Sequence, residues 1–308
     1  MSDDRYNNRT KLSFKANRRI LMIEQSLHHD TVDTNGIKLH YVTQGEGALM
    51  LFLHGFPEFW YSWRHQIPEF AKDYKVVAVD LRGYNDSDKP QAQSAYVMSE
   101  FVEDVKGVIE GLGYESCILI GHDWGGAIAW SFAYAYPELV SRLIVMNLPH
   151  PAKFASGLKT PQQMLKSWYI AFFQIPFLPE FLIQLDDYRL IEEAFRGMAI
   201  NQSAFTDEDI EQYKNAFAKR GALTGAINYY RNLPTYLSQK KVWGILKMPT
   251  LMIWGEEDRA LGKELTYGTE EYVQDLQIRY IPNCSHWVQQ EQPQLVNRMM
   301  REFLDEVK

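Results

Sequence analysis

The hexapeptide Gly121-His122-Asp123-Trp124-Gly125-Gly126 lies where a short apolar run, Cys117–Ile120, gives way to a helical pattern. Strand, sharp turn and helix, with small residues around one central side chain, make a nucleophile elbow, which lifts that side chain above the sheet. Serine is the usual central residue; here it is Asp123. An aspartate at this point would also serve as an ordinary helix N-cap, so the hexapeptide alone leaves both readings open. The chemistry narrows them. A serine that attacked a saturated carbon would form an ether, which water does not readily cleave. A carboxylate attacking the same carbon forms an ester, which an activated water can hydrolyse at its carbonyl. An aspartate elbow therefore favours alkylating substrates, epoxides or alkyl halides, over esters and peptides.

Such a nucleophile needs partners. His54-Gly55-Phe56-Pro57 directly follows the apolar run Leu49–Leu53. In folds built around an elbow, the loop after that strand donates one backbone N–H to an oxyanion hole, and the residue after the nucleophile donates the other. Phe56 and Trp124 are the expected donors. A base and its orienting acid should follow the nucleophile in the order acid, then histidine. Of the eight histidines, His286 alone lies in the last part of the chain, in the run Asn283–Trp287. Asp258, in the Gly255–Asp258 loop after an apolar strand pattern, is the expected acid, with Glu256 and Glu257 as surface alternatives.

The elements that must hold these residues are visible as alternating strand and helix patterns. Strands are expected at Ile37–Val42, Leu49–Leu53, Tyr74–Val79, Cys117–Ile120 and Leu143–Met146, and helices at Tyr61–Lys72, Ser99–Leu112 and Gly125–Tyr136. Near-continuous apolar strands alternating with helices indicate a parallel, doubly wound sheet. The alternation stops near residue 149. A helical, proline-broken stretch rich in aromatics runs to about residue 240 (Trp168, Phe172, Phe173, Phe177, Phe181). The strand pattern then returns at Thr250–Trp254 and Gln277–Ile281, with a closing helix at Pro293–Val307. The expected organisation is an arm at 1–25, a first core segment at 26–148, a helical cap at 149–240 and a second core segment at 241–308.

Bulk properties exclude several classes. The net charge of −7 argues against nucleic-acid binding, which needs a basic face. Cys117 and Cys284 are too few for a disulfide framework, and no CxxC pair offers a metal site, so the expectation is a reduced, cytoplasmic protein. The polar N-terminus lacks the apolar core of a signal peptide, and Ile20–Ile23 is far too short to span a bilayer.

The stretch His54–Phe70 (HGFPEFWYSWRHQIPEF), the DLRGY of Asp80–Tyr84, the GHDWGG elbow and the terminal CSHW resemble the epoxide hydrolases of the α/β-hydrolase superfamily. The similarity runs from about residue 30 to the C-terminus. The resemblance implies an α/β-hydrolase core with an inserted helical cap, no metal or organic cofactor, and two ring-opening tyrosines supplied by the cap. By motif context these match Tyr169 in WYIAFFQ and Tyr230 in INYYRN, with Tyr229 the neighbour that could be mistaken for the second. Adjacent helical residues point about 100° apart, so only one of that pair should face the site. Asn85 departs from the family's glycine after DLRGY; asparagine tolerates positive φ, so the turn should keep its shape.

The leaving group separates the surviving substrates. An epoxide oxygen leaves as a basic alkoxide and needs a proton, which a phenol of reference pKa about 10 can give at neutral pH; halide needs none. Haloalkane dehalogenases usually carry asparagine where this chain has Phe56, and fluoroacetate dehalogenases typically have arginines where it has Trp124 and Ala127. The reading is hydrolysis of a small lipophilic epoxide to a diol, in a pocket including Trp168, Phe172 and Trp287, by a monomer or homodimer. Haloalkane dehalogenation with the same aspartate is the alternative. A catalytically silent binder is a third reading, disfavoured because binding alone needs no Asp123, Asp258 and His286 relay.

Overall fold

In a computed structural model, which describes residues 27–239 and 241–306, eight strands form one sheet ordered β1-β2-β4-β3-β5-β6-β7-β8. The strands are β1 (His28–Thr34), β2 (Ile37–Gln44), β3 (Leu49–Leu53), β4 (Lys75–Val79), β5 (Cys117–His122), β6 (Val140–Met146), β7 (Thr250–Gly255) and β8 (Leu276–Ile281). Pairings β1–β2 and β2–β4 are antiparallel and the other five parallel. Every residue of β3, β5 and β7 is buried, as expected for strands covered on both faces. The residues 1–25 assigned to an arm lie outside the described residues.

Between β3 and β4, where the sequence pattern predicts a helix over Tyr61–Lys72, the chain makes only a 3₁₀ turn at Trp60–Trp63 and one turn of helix, α1 (Ile67–Phe70). The apolar residues there, Trp60, Tyr61, Trp63, Ile67 and Phe70, are all buried, so packing of large rings rather than helical periodicity sets the backbone. Strand β1 was absent from the expected elements. It is an edge strand whose buried side chains are only Val32 and Thr34, so it shows almost no apolar pattern.

Helices α2 (Met98–Gly111) and α3 (Trp124–Ala135) pack on the sheet. Helix α3 buries Ile128, Ala129, Trp130, Phe132 and Ala133, and each large apolar side chain so removed from water contributes roughly 1.5–3 kcal/mol. Between β6 and β7 come six helices: α4 (Pro151–Gly157), α5 (Pro161–Lys166), α6 (Trp168–Phe172), α7 (Leu178–Glu192), α8 (Asp207–Ala218) and α9 (Ala222–Ser238). Helix α7 is broken at Leu185–Tyr188, where Asp186, Asp187 and Tyr188 take positive φ. The chain closes with α10 (Val288–Glu291) and α11 (Pro293–Glu306). Among the described residues no helix is long and apolar enough to cross a membrane.

The chain leaves the carboxyl ends of β3, β5, β6, β7 and β8 into His54, Asp123, Asn147, Asp258 and His286 respectively, or within a few residues of them. In a parallel α/β sheet this edge is where ligands bind.

Candidate active site

Asp123 takes φ 49° and ψ −120° between β5 and α3, a conformation L-residues rarely adopt unless their surroundings impose it. The close packing of the elbow imposes it here. A Cβ on Gly125 would collide with the Leu53 carbonyl, and one on Gly55 with the Asp123 side chain. Glycines at these two points let α3, the β3 loop and the carboxylate come together. Phe56 N–H, on that loop, donates to Asp123 Oδ1 at 2.8 Å. Trp124 is the first residue of α3, where a helix leaves its N–H groups without intrahelical partners.

His286 Nε2 stands 3.6 Å from Asp123 Oδ2. On its other side, His286 Nδ1 and Asp258 Oδ2 are 2.7 Å apart. Asp258 is held by three further donors: Asn147 Nδ2 at 2.7 Å to Oδ2, and the Ala260 and Leu261 N–H groups at 2.7 and 2.9 Å to Oδ1. Glu256 instead pairs with Lys263 at 2.7 Å, so Asp258 is the acid of that loop that reaches the histidine.

The electrostatics follow from this geometry. Burial alone would raise the Asp123 carboxyl, but His286, His122 and the Phe56 N–H outweigh it and hold the group below its ordinary range. Burial likewise opposes ionisation of Asp258, and His286, Asn147 and the Leu261 N–H hold it down. For His286, burial disfavours the cation, yet the flanking Asp258 and Asp123 carboxylates raise it well above the usual imidazole value. The two flanking carboxylates thus favour the imidazolium form of His286.

Tyr169, on α6, and Tyr230, on α9, line the same cavity of about 380 Å³ as Asp123 and His286. Their rings are 5.8 Å apart, and Tyr230 stacks edge-on against Phe56 and Trp124 at 5.3 and 5.1 Å. Gln174 Nε2 donates to the Tyr230 carbonyl at 2.8 Å, tying the end of α6 to α9. Burial, followed by the nearby Asp123 charge, raises both phenols far above the ordinary tyrosine value, so both keep their protons. Tyr229 points elsewhere: its hydroxyl donates to the Arg82 carbonyl at 2.8 Å and its ring stacks on Phe101.

Trp168, Phe172 and Trp287 all line the large cavity, with Phe173, Ile183 and Met198 adding to its apolar wall. A second cavity, of about 50 Å³, opens beyond the same Asp123, Tyr169 and Tyr230. Phe177 and Phe181, counted with the aromatic cluster of that stretch, neither line the large cavity nor pack in the core: they are on the surface.

Three residues of the site were not singled out from sequence. His122, inside the elbow motif, meets Glu58 Oε2 at 2.7 Å through Nδ1 and the His286 carbonyl at 2.9 Å through Nε2. Glu58, one residue beyond HGFP, also accepts from Gly55 N–H and from the Gln289 and Gln290 amides. Together they tie the nucleophile loop, the oxyanion loop and the histidine loop beneath the site. Both lay within quoted motifs, and a buried charge next to a reactive one was the signal available. Asn147, at φ 41°, bridges Asp258 and the Gly255 N–H; nothing in its local sequence marks it.

A family model for the alpha/beta hydrolase fold matches residues 48–293. The chain is 44% identical over 283 residues to epoxide hydrolase 4 of Mus musculus, spanning 89% of this chain and 78% of that protein. It is 45% identical over 276 residues to epoxide hydrolase 1 of Caenorhabditis elegans, spanning 87% and 68%. Among solved structures, an epoxide hydrolase from Bacillus megaterium in complex with an inhibitor matches with a TM-score of 0.84 and 39% identity, over 90% of this chain and 100% of that one.

Proposed function

The chain belongs to the epoxide hydrolases of the α/β-hydrolase superfamily, and we propose that it converts epoxides to vicinal diols through a covalent ester on Asp123. The observation that carries this reading is one cavity walled by an ionised aspartate on one side and two protonated tyrosines on the other. We take residues 149–240 as the cap that supplies those phenols.

In the first step Asp123 Oδ2, the oxygen not held by Phe56, attacks an epoxide carbon. The ring C–O bond breaks, and the departing oxygen takes a proton from Tyr169 or Tyr230. The ester has no charge, so His286 loses one of the two carboxylates that keep it protonated. Its proton returns to the tyrosinate, and the imidazole becomes a base only after the ester exists. In the second step His286 takes a proton from water as the water attacks the ester carbonyl. Phe56 N–H already lies 2.8 Å from Oδ1, where the oxyanion forms, and Trp124 N–H is the second donor. Collapse breaks the acyl C–O bond, the diol leaves with the proton of the new acyl hydroxyl, and the Asp123–His286 ion pair is restored. Asp258 orients the imidazole throughout and stabilises its cation.

Dehalogenation is disfavoured because two phenolic donors buried at the site are of no use to a leaving halide. Isotope labelling tests the covalent scheme. A single turnover of excess enzyme on styrene oxide in ¹⁸O-water should give an unlabelled diol, because the added oxygen comes from Asp123, and should leave the label in the enzyme. A diol carrying solvent ¹⁸O from the first turnover would mean direct attack by water.

A further inference from the structure

Among the described residues, most of the exposed large hydrophobic side chains belong to one stretch, 164–190. Phe177 is 84% exposed, Leu165 77%, Trp168 65% and Phe181 60%, joined by Met164, Ile175 and Leu178. Met164, Leu165 and Trp168 lie three and four residues apart across α5 and α6; Phe177 and Phe181 are four apart at the start of α7. A face of this kind on a folded protein marks a docking surface.

Two further observations choose the partner. First, the face rims the substrate cavity: Trp168 and Leu190 are exposed and also line its wall. Second, the chain carries a net charge of −7, yet has no aspartate or glutamate between Glu138 and Glu180. Within this acid-free stretch Lys159 is exposed, six residues before Leu165, whereas Lys166 turns to the cavity wall, where its Nζ donates to the Asp258 carbonyl at 2.9 Å. The first acid to follow, Glu180, is neutralised by Arg231 at 2.7 Å. Exposed tryptophan, phenylalanine and leucine, free of nearby acids along the chain and with an exposed lysine in the same stretch, suit an anionic phospholipid headgroup region. A contact between copies through this face would instead seal the cavity mouth with protein.

We propose that α5, α6 and the start of α7 dock on an anionic phospholipid surface, with the mouth of the cavity facing the lipid. This rests on the epoxide reading only for its purpose, which is to draw lipophilic epoxides directly from the bilayer.

Flotation of the full chain with vesicles tests the docking independently of catalysis. The chain should float with phosphatidylcholine vesicles containing phosphatidylserine. The triple variant Leu165→Glu/Phe177→Glu/Phe181→Glu should bind them roughly tenfold less or weaker still. Lys159→Glu should weaken binding by roughly tenfold to the anionic vesicles, and much less to phosphatidylcholine alone. None of these residues lines the cavity, so turnover of dissolved styrene oxide should not change in either variant, which also reports that they fold. Failure of the wild-type chain to float would overturn the proposal, as would variants that float as well as wild type, which would put the contact elsewhere. A wild-type dimer in light scattering that the triple variant dissociates, without flotation of either, would make this face a self-association surface instead. Absence of epoxide turnover with normal flotation would refute the catalytic reading and leave the docking intact.

Discussion

His286 is flanked by Asp123 at 3.6 Å and Asp258 at 2.7 Å, and both carboxylates favour its cation. It should therefore remain protonated in the free enzyme well above pH 6.5, the ordinary imidazole value. Once Asp123 is esterified its attraction is gone, and the histidine should lose its proton at a lower pH than in the free enzyme. Ring nitrogen NMR of the free protein and of the trapped ester reads both states. A free-enzyme His286 that loses its proton at or below the ordinary value would contradict the timing. The sign also fixes the pH profile of ester hydrolysis: the rate should fall as pH drops through the lower, ester-state value, because only the neutral ring accepts a proton. Tyr169 and Tyr230 make a second prediction. Loss of one general acid typically costs ~10²–10⁴-fold, but two phenols on one cavity partly replace each other. Tyr169→Phe and Tyr230→Phe should each slow the burst of ring opening, and the double variant should lose it almost entirely. Wild-type rates in the double variant would remove the phenols from the mechanism.

At the scale of elements, α9 assigns opposite duties to adjacent tyrosines. Tyr230 faces the cavity, while Tyr229 bonds the Arg82 carbonyl and packs among Tyr84, Tyr96 and Phe101. Tyr229→Phe should leave turnover nearly unchanged and cost about 1–3 kcal/mol in chemical denaturation, the expense of a buried carbonyl left without its donor. A large loss of turnover with stability intact would mean that the two had been exchanged. The sequence carried this distinction poorly, since the pair YY at 229–230 fixes that one faces the site but not which; the motif context supplied the choice. The fully apolar runs of β3, β5 and β7 were plain, because strands buried on both faces must be apolar throughout. Strand β1 was not, because an edge strand with two buried side chains looks like a loop. The aromatic run at Trp60–Trp63 reads as helix because its residues are apolar at helical spacing, although the core takes them from a 3₁₀ turn. Asn85 does adopt positive φ, 39°, and its amide donates to Asp80 Oδ2 at 2.8 Å, which anchors the turn that the family resemblance led one to expect.

Over the whole molecule, residues far apart in the chain converge at one sheet edge. Asp123, Asp258 and His286 could be read one by one because each ends a recognisable strand. Their supports, Glu58, His122 and Asn147, could not, because a buried hydrogen-bond network joins loops 64 to 164 residues apart and leaves no local pattern. That network also makes the central claim testable. With His286 replaced by glutamine, Phe56 N–H still donates to Asp123 Oδ1 at 2.8 Å, so the nucleophile stays in place while the base is gone. Intact-protein mass spectrometry of His286→Gln mixed with styrene oxide should show a stable adduct heavier by one substrate mass, on the peptide containing Asp123. A serine-type relay predicts no adduct, because there the histidine must first activate the nucleophile. A folded His286→Gln protein that binds the epoxide and never gains that mass would contradict an aspartate acting as nucleophile on its own.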